Sequence, residues 1–261
     1  MVQISLDADT LNETTARFAP APITVPIFLN SVPKSGTHLL RNILRMFVPV
    51  EQQYHAAFIQ WPNLQNNLAA FSTERPMLSW GHLLFSDASA IETARCHRVI
   101  LVRDPHDWVL ARARFFVSEQ FSANMDHLKD GKLAVEDLLN LMIFGIHGKA
   151  PSMADQYRFN ALGWLHTGAL LLRYEDLVAH ANALEQPEAE PYFATLLGHC
   201  GIALPENWAE RVAAGADRRQ SSTAREKLSV GGVAIPDKLP PGQKQLVEVA
   251  APGMRAMLGY A

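Results

Sequence analysis

The sequence predicts an α/β fold, a single domain with a mostly parallel central sheet flanked by helices. Three observations lead there. Apolar runs of strand length recur along the chain with segments of helical period between them, and strands that alternate with helices form parallel sheets covered on both faces. One run, Val99-Ile100-Leu101-Val102, is apolar throughout, as befits a strand buried on both faces. The length of 261 residues suits one large domain, or a domain and a half. In such sheets ligands bind beyond the C-terminal ends of the strands, and Lys34, His82, Arg103 and Tyr174 all stand at predicted strand ends.

Residues 1–22 are polar, close on Ala-Pro-Ala-Pro and read as an N-terminal arm, leaving 23–261 as the domain. Ile27-Phe28-Leu29 is the first strand. A polar turn from Ser31 to Thr37 follows, and then Leu39, Leu40, Ile43, Leu44 and Phe47 recur at helical spacing until Val48-Pro49 ends the helix. Residues 51–74 are rich in Gln, Asn and aromatics and have no strong period. They read as irregular structure with short helices, either walling an acceptor pocket or packing beneath a long connection. A second strand at 76–80 runs into Gly81-His82. The strand at 99–102 delivers Arg103, after which Asp104 caps and Pro105 opens a helix to about Phe116. Residues 117–152 hold a polar stretch at 126–132 and an apolar helix at 135–146. A helix at 153–166 leads to a strand at 170–174, with Glu175-Asp176 behind it. Another helix covers 191–200. The stretch 217–241 is polar and contains Gly and Pro, and a last helix at 243–258 is irregular at Pro252-Gly253.

Composition narrows the function. With 48% hydrophobic and 19% charged residues the chain can bury a substantial core and is not disordered. A formal charge of −3 gives no support to nucleic-acid or membrane-surface binding as its main task. Cys96 and Cys200 lie far apart without metal-ligand spacing and read as buried thiols in a reducing compartment. The N-terminus lacks the basic head and apolar core of a signal peptide. No run of about 18 apolar residues is available to span a membrane. The cytoplasm is the default location.

The chemistry concentrates at the first turn. Strand, glycine-containing turn and helix leave backbone N–H groups unpaired at a helix N-terminus, where they and the helix dipole favour phosphate or sulfate. Lys34 adds a positive charge on a flexible stem, and Ser35 and Thr37 add hydroxyls. The nucleotide triphosphatase loop is a different motif, since its lysine follows its second glycine. Here Lys34 precedes Gly36, and no glycine lies between Ile23 and Lys34. The order Pro33-Lys34-Ser35-Gly36-Thr37 closely resembles the phosphosulfate-binding loop of sulfotransferases that use 3′-phosphoadenosine-5′-phosphosulfate (PAPS).

Three further stretches carry the same resemblance. Arg103, Pro105 and Asp107 match the family's arginine-containing motif after a strand, whose arginine holds the 3′-phosphate of PAPS. Its partner serine, eight positions on, is replaced by Ala111; Arg112 and Arg114 are candidates to compensate or are solvated helix residues. Gly81-His82-Leu83-Leu84 sits where the family carries its general base, which makes His82 the base among ten histidines. Tyr174-Glu175-Asp176 matches the motif whose tyrosine contacts the adenine; a core tyrosine before helix-capping carboxylates would also explain it. The tryptophan expected two positions after the loop threonine is Leu39, and the family's C-terminal motif survives only as Arg225 and a later glycine. Zinc-ligand spacing, nucleophile-elbow and dinucleotide-binding motifs are all absent.

The resemblance implies a P-loop-like sulfotransferase fold and transfer of a sulfuryl group from PAPS to a hydroxyl, or less readily an amine, with no metal required. Lys34 and His82 would be catalytic. Lys34, Ser35, Gly36, Thr37, His38, Arg103, Tyr174 and Arg225 would hold the donor. The partner expected is a small-molecule or sugar acceptor, without nucleic acid or a membrane span, and a homodimer is open. Two rival readings stand beside it: a P-loop kinase acting on a small molecule, and a catalytically degenerate nucleotide-binding protein.

Overall fold

The apolar runs become the strands of one sheet. The structure, a computed structural model, describes residues 3–4, 10–118, 121–122, 125–129, 131–217 and 234–260. In chain order its elements begin with β1 (Gln3–Ile4), α1 (Leu11–Phe18), β2 (Ile27–Ser31), α2 (Thr37–Arg45), β3 (Ile59–Gln60), β4 (Leu78–His82), α3 (Asp87–Glu92), β5 (His97–Val102) and α4 (Pro105–Phe116). They continue with β6 (Phe121–Ser122), α5 (Val135–Phe144), α6 (Met153–Asn160), β7 (Leu170–Arg173), α7 (Tyr174–Ala181), α8 (Ala189–His199), α9 (Trp208–Ala216), α10 (Pro241–Ala250) and α11 (Met254–Met257). The chain divides into two compact units, Ala8–Val102 with Phe159–Ala224, and Met1–Asp7 with Arg103–Arg158 and Arg225–Ala261.

The first unit holds a five-stranded sheet in the order β3-β4-β2-β5-β7. Every pairing in it is parallel, so the expected α/β class with helices about a parallel sheet is what forms. Ile27, Phe28 and Leu29 of β2 are fully buried, and Ile100 to Val102 of β5 nearly so, because both strands lie inside the sheet. β2 pairs with β4 on one side, Asn30 opposite Gly81, and with β5 on the other, Ser31 opposite Leu101. The C-terminal ends of β2, β4 and β5 therefore lie side by side.

Helix α2 buries Leu40, Ile43 and Leu44, the stripe its apolar period predicts. α9 crosses it closely: a Cβ on Gly215 would overlap the backbone of Asn42 and Ile43. Several elements depart from the sequence reading. Within 1–22, α1 is a helix with Leu11 and Thr15 buried, the Thr15 hydroxyl donating to the Leu11 carbonyl at 2.9 Å. Helix 153–166 stops at Asn160 and gives way to a 3-10 turn at Leu162–Trp164. The strand 170–174 ends at Arg173, and Tyr174 opens α7 instead.

In the second unit Asp104 caps α4 as expected, accepting from the His106 N–H at 2.9 Å. β1 and β6 form a short antiparallel pair. The last helix divides into α10 and α11, with Gly253 at φ 72° as the N-cap of α11. Among the described residues no helix is long and apolar enough to cross a membrane.

Candidate functional site

The turn after β2 is built from two left-handed residues, Lys34 at φ 68° and Gly36 at φ 92°. The Ser35 N–H turns back to the Val32 carbonyl at 3.2 Å, and the Val32 N–H reaches the Leu101 carbonyl of β5 at 3.1 Å. The first bond closes the turn and the second ties it to the end of the sheet. Gly36 then serves as the N-cap of α2 with no side-chain cap, and the first turn of the helix carries no acidic residue. The positive end of the helix dipole is left without a carboxylate to offset it. Ser35 is fully buried, and its hydroxyl has no hydrogen-bond partner among the described residues. A buried polar group in that state needs an explanation, such as a bound water, an ion or a ligand.

Gly36 meets a second requirement. A Cβ there would overlap Cδ2 and Cε2 of Tyr174, so the tyrosine at the end of β7 packs directly on the loop. Leu39, where the family's tryptophan stands, packs instead against the apolar core.

His82 ends β4, one strand from the loop. Its Nδ1 lies 3.0 Å from the Ser31 carbonyl and 3.1 Å from the Ser31 hydroxyl. That hydroxyl is in turn 2.6 Å from Thr37 Oγ1. A carbonyl can only accept, so this contact favours the tautomer with the proton on Nδ1 and the lone pair on Nε2. The His82 pKa is lowered from 6.5 to about 4, first by burial and also by the charge of Lys34, against the hydrogen bonds to the backbone of Ser31 and Gly81. An ordinary histidine value is expected from the sequence; the folded chain instead holds this imidazole neutral well into acid. Phe58 packs edge-on to His82, with ring centres 4.7 Å apart, and stacks at 6.5 Å on His38.

The loop, His38, His82 and Tyr174 all belong to the first unit. Arg103 directly follows β5 and opens the second stretch of the other unit, where its carbonyl accepts from the Tyr157 hydroxyl at 2.7 Å. Asp104, the next residue, is bound by Arg255 at 3.1 and 3.0 Å. Burial would raise the Asp104 carboxyl, but the hydrogen bonds from Arg255 and His106 outweigh it and hold the pKa below its usual value. Of the two candidates to compensate for the missing serine, Arg112 is buried and Arg114 is partly exposed. Arg112 donates to the carbonyls of Met142 and Pro151 at 2.9 and 2.7 Å, and burial lowers its pKa to about 10. Arg114 donates to the Pro236 carbonyl at 2.8 Å. Arg225 lies outside the described residues.

Sequence reasoning placed Ser31 in the turn without giving it a role, and Phe58 only in an aromatic segment. The signal for Ser31 was a hydroxyl at the end of a buried strand, one turn before the loop threonine. Its partnership with His82 depends on the β2–β4 register, which the sequence does not contain.

No family model matches the chain, and no curated protein matches it in sequence. Among solved structures it is similar to mouse sulfotransferase SULT7A1 complexed with PAP, with a TM-score of 0.54 and 14% identity, over 98% of this chain and 95% of that one. At that identity the likeness is one of fold.

Proposed function

We propose that this chain transfers a sulfuryl group from PAPS to a hydroxyl, or less readily an amine, of a small-molecule or sugar acceptor. The observation that carries the reading is the pairing of an uncapped helix N-terminus and Lys34 with a neutral histidine on the neighbouring strand. The donor set fits a tetrahedral oxyanion: a glycine N-cap, a buried hydroxyl on Ser35 lacking a partner, and an ammonium within electrostatic reach of His82. Bound PAPS would supply the activated sulfuryl group. In this reading the α2 N-terminus, Ser35 and Thr37 hold the phosphosulfate end and align it. Lys34 stabilises the negative charge that develops on the departing oxygen. Nε2 of His82 takes the proton of the acceptor hydroxyl, and the Ser31 carbonyl keeps Nδ1–H turned away from it. Arg103 is assigned to the 3′-phosphate, Tyr174 to the adenine and His38 to the donor end by resemblance alone, as is Arg225.

Nucleotide preference tests this. By mass action on the folded state, 3′-phosphoadenosine-5′-phosphate (PAP) should raise the melting temperature well above the shift given by AMP or by ATP with magnesium. Equal shifts for PAP and AMP would remove the 3′-phosphate site. A larger shift for ATP with magnesium would favour a kinase.

A further inference from the structure

We infer that an anion seated in the loop sets the tautomer of His82 through the Ser31 hydroxyl, which makes Ser31 a positioning residue that readies the base when the donor binds. The inference rests on the reading of the loop as an anion site. Its geometry is a continuous chain: His82 Nδ1 to Ser31 Oγ at 3.1 Å, and Ser31 Oγ to Thr37 Oγ1 at 2.6 Å. Ser31 and Thr37 are both buried, and Thr37 is the first residue of α2, at the loop itself.

Each hydroxyl has one proton to give, so the chain has two self-consistent directions. In one, Thr37 donates to Ser31 and Ser31 donates to Nδ1. Nδ1 must then carry a lone pair and Nε2 the proton, which leaves the outward nitrogen unable to act as a base. In the other, Nδ1–H donates to Ser31, Ser31 donates to Thr37, and Thr37 directs its proton at the loop. Nε2 then holds the lone pair. The two forms differ by one proton moved between the ring nitrogens and by two hydroxyl rotations, with no change in net charge.

Two partners pull on this equilibrium. The Ser31 carbonyl, 3.0 Å from Nδ1, favours the basic form in every state. The short Ser31–Thr37 contact opposes it as long as the Thr37 proton is spent on Ser31. An anion at the α2 N-terminus accepts that proton and turns the whole chain towards the basic form. Because coupling is reciprocal, the basic tautomer in turn favours the anion. Lys34 is the charged group whose field reaches His82, and His38 is the other titratable ring in contact with Phe58. Lys34 acts on the ring's total charge, whereas the hydroxyl chain acts on which nitrogen is protonated.

The test is ¹⁵N NMR of the histidine-labelled full chain at neutral pH, with the His82 signals assigned from their loss in His82→Asn. Spectra are compared for the free protein, with PAP and with inorganic sulfate. Wild type should hold a fraction of the Nε2–H form when free and lose it when either anion binds. Ser31→Ala should stay in the Nδ1–H form throughout, because only the carbonyl remains, while Ser31→Thr should keep the response. Thr37→Val, which removes the second hydroxyl, should abolish the response and serves if Ser31→Ala does not fold. The inference is overturned if wild-type His82 is unchanged by a bound anion, or if Ser31→Ala responds as wild type does. Failure of PAP to bind, with sulfate still shifting the tautomer, would overturn the donor reading and leave the coupling supported. No response to either anion would overturn the coupling.

Discussion

The ring of Tyr174 occupies the space in which a Cβ at Gly36 would stand. That contact joins the end of β7 to the loop after β2, two strands away across the sheet. It explains why the loop needs glycine twice over, for its φ of 92° and for the approach of the ring. Gly36→Ala should lose ~1–2 kcal/mol for the left-handed backbone alone, and more from the overlap. In urea unfolding, Tyr174→Ala made on top of Gly36→Ala should recover the overlap part. If the two substitutions were simply additive, the packing would not be what constrains residue 36.

His82 gives a pH dependence of definite sign. Its folded pKa of about 4 lies below the ordinary 6.5, so between those values only the unfolded chain takes up a proton at this position. The stability contribution is complete above 6.5 and falls away as the pH drops towards about 4. His82→Asn should flatten that fall in denaturation midpoints measured across the window. An undiminished slope in the variant would assign the effect to other groups. For the same reason the acid limb of kcat/KM, which reports the free enzyme, should lie near 4 and not near 6.5.

Arg112 separates structural from ligand-binding cations. Its guanidinium is spent on two carbonyls and lies 4.9 Å from the Trp108 ring centre. Arg112→Met should cost ~1–3 kcal/mol, the price of leaving a buried carbonyl such as that of Met142 without its donor. The preference for PAP over AMP should not change. Ala111→Ser, by contrast, should leave stability alone and tighten PAP by ~0.5–1.5 kcal/mol if the position faces the 3′-phosphate. Calorimetric titration of the two variants distinguishes these outcomes.

What the sequence carried and what it did not can be told from particular elements. β2, α2, β5 and α4 were legible because each has a clear period or apolar run and a local stop or cap: Val48-Pro49 after α2, Asp104-Pro105 before α4. β3 is two residues long and exists through pairing with β4, a non-local cause that leaves no period to read. α1 and α9 were missed because their buried faces rest on small or polar residues, Thr15 in one and Gly215 in the other. Tyr174 reads as part of the strand because the apolar run does not mark where β7 gives way to α7. At the site, Lys34, His82 and Tyr174 could be singled out from their places at predicted strand ends and from the resemblance. The hydrogen bonds among Ser31, Thr37 and His82 were not, since they arise from the register of adjacent strands.

The most direct test of the account is a single-turnover assay. Protein loaded with PAPS is mixed with a panel of hydroxyl and amine acceptors, and mass spectrometry follows both PAP and the gain of one sulfuryl group. Wild type should form both together. His82→Asn should be slower by ~10²–10⁴-fold, the usual cost of removing a general base, with PAP affinity changed by no more than its coupling to the tautomer, whereas Lys34→Ala should lose both turnover and donor binding. Tight PAPS binding by wild type with transfer to no acceptor, or His82→Asn turning over at the wild-type rate, would contradict it.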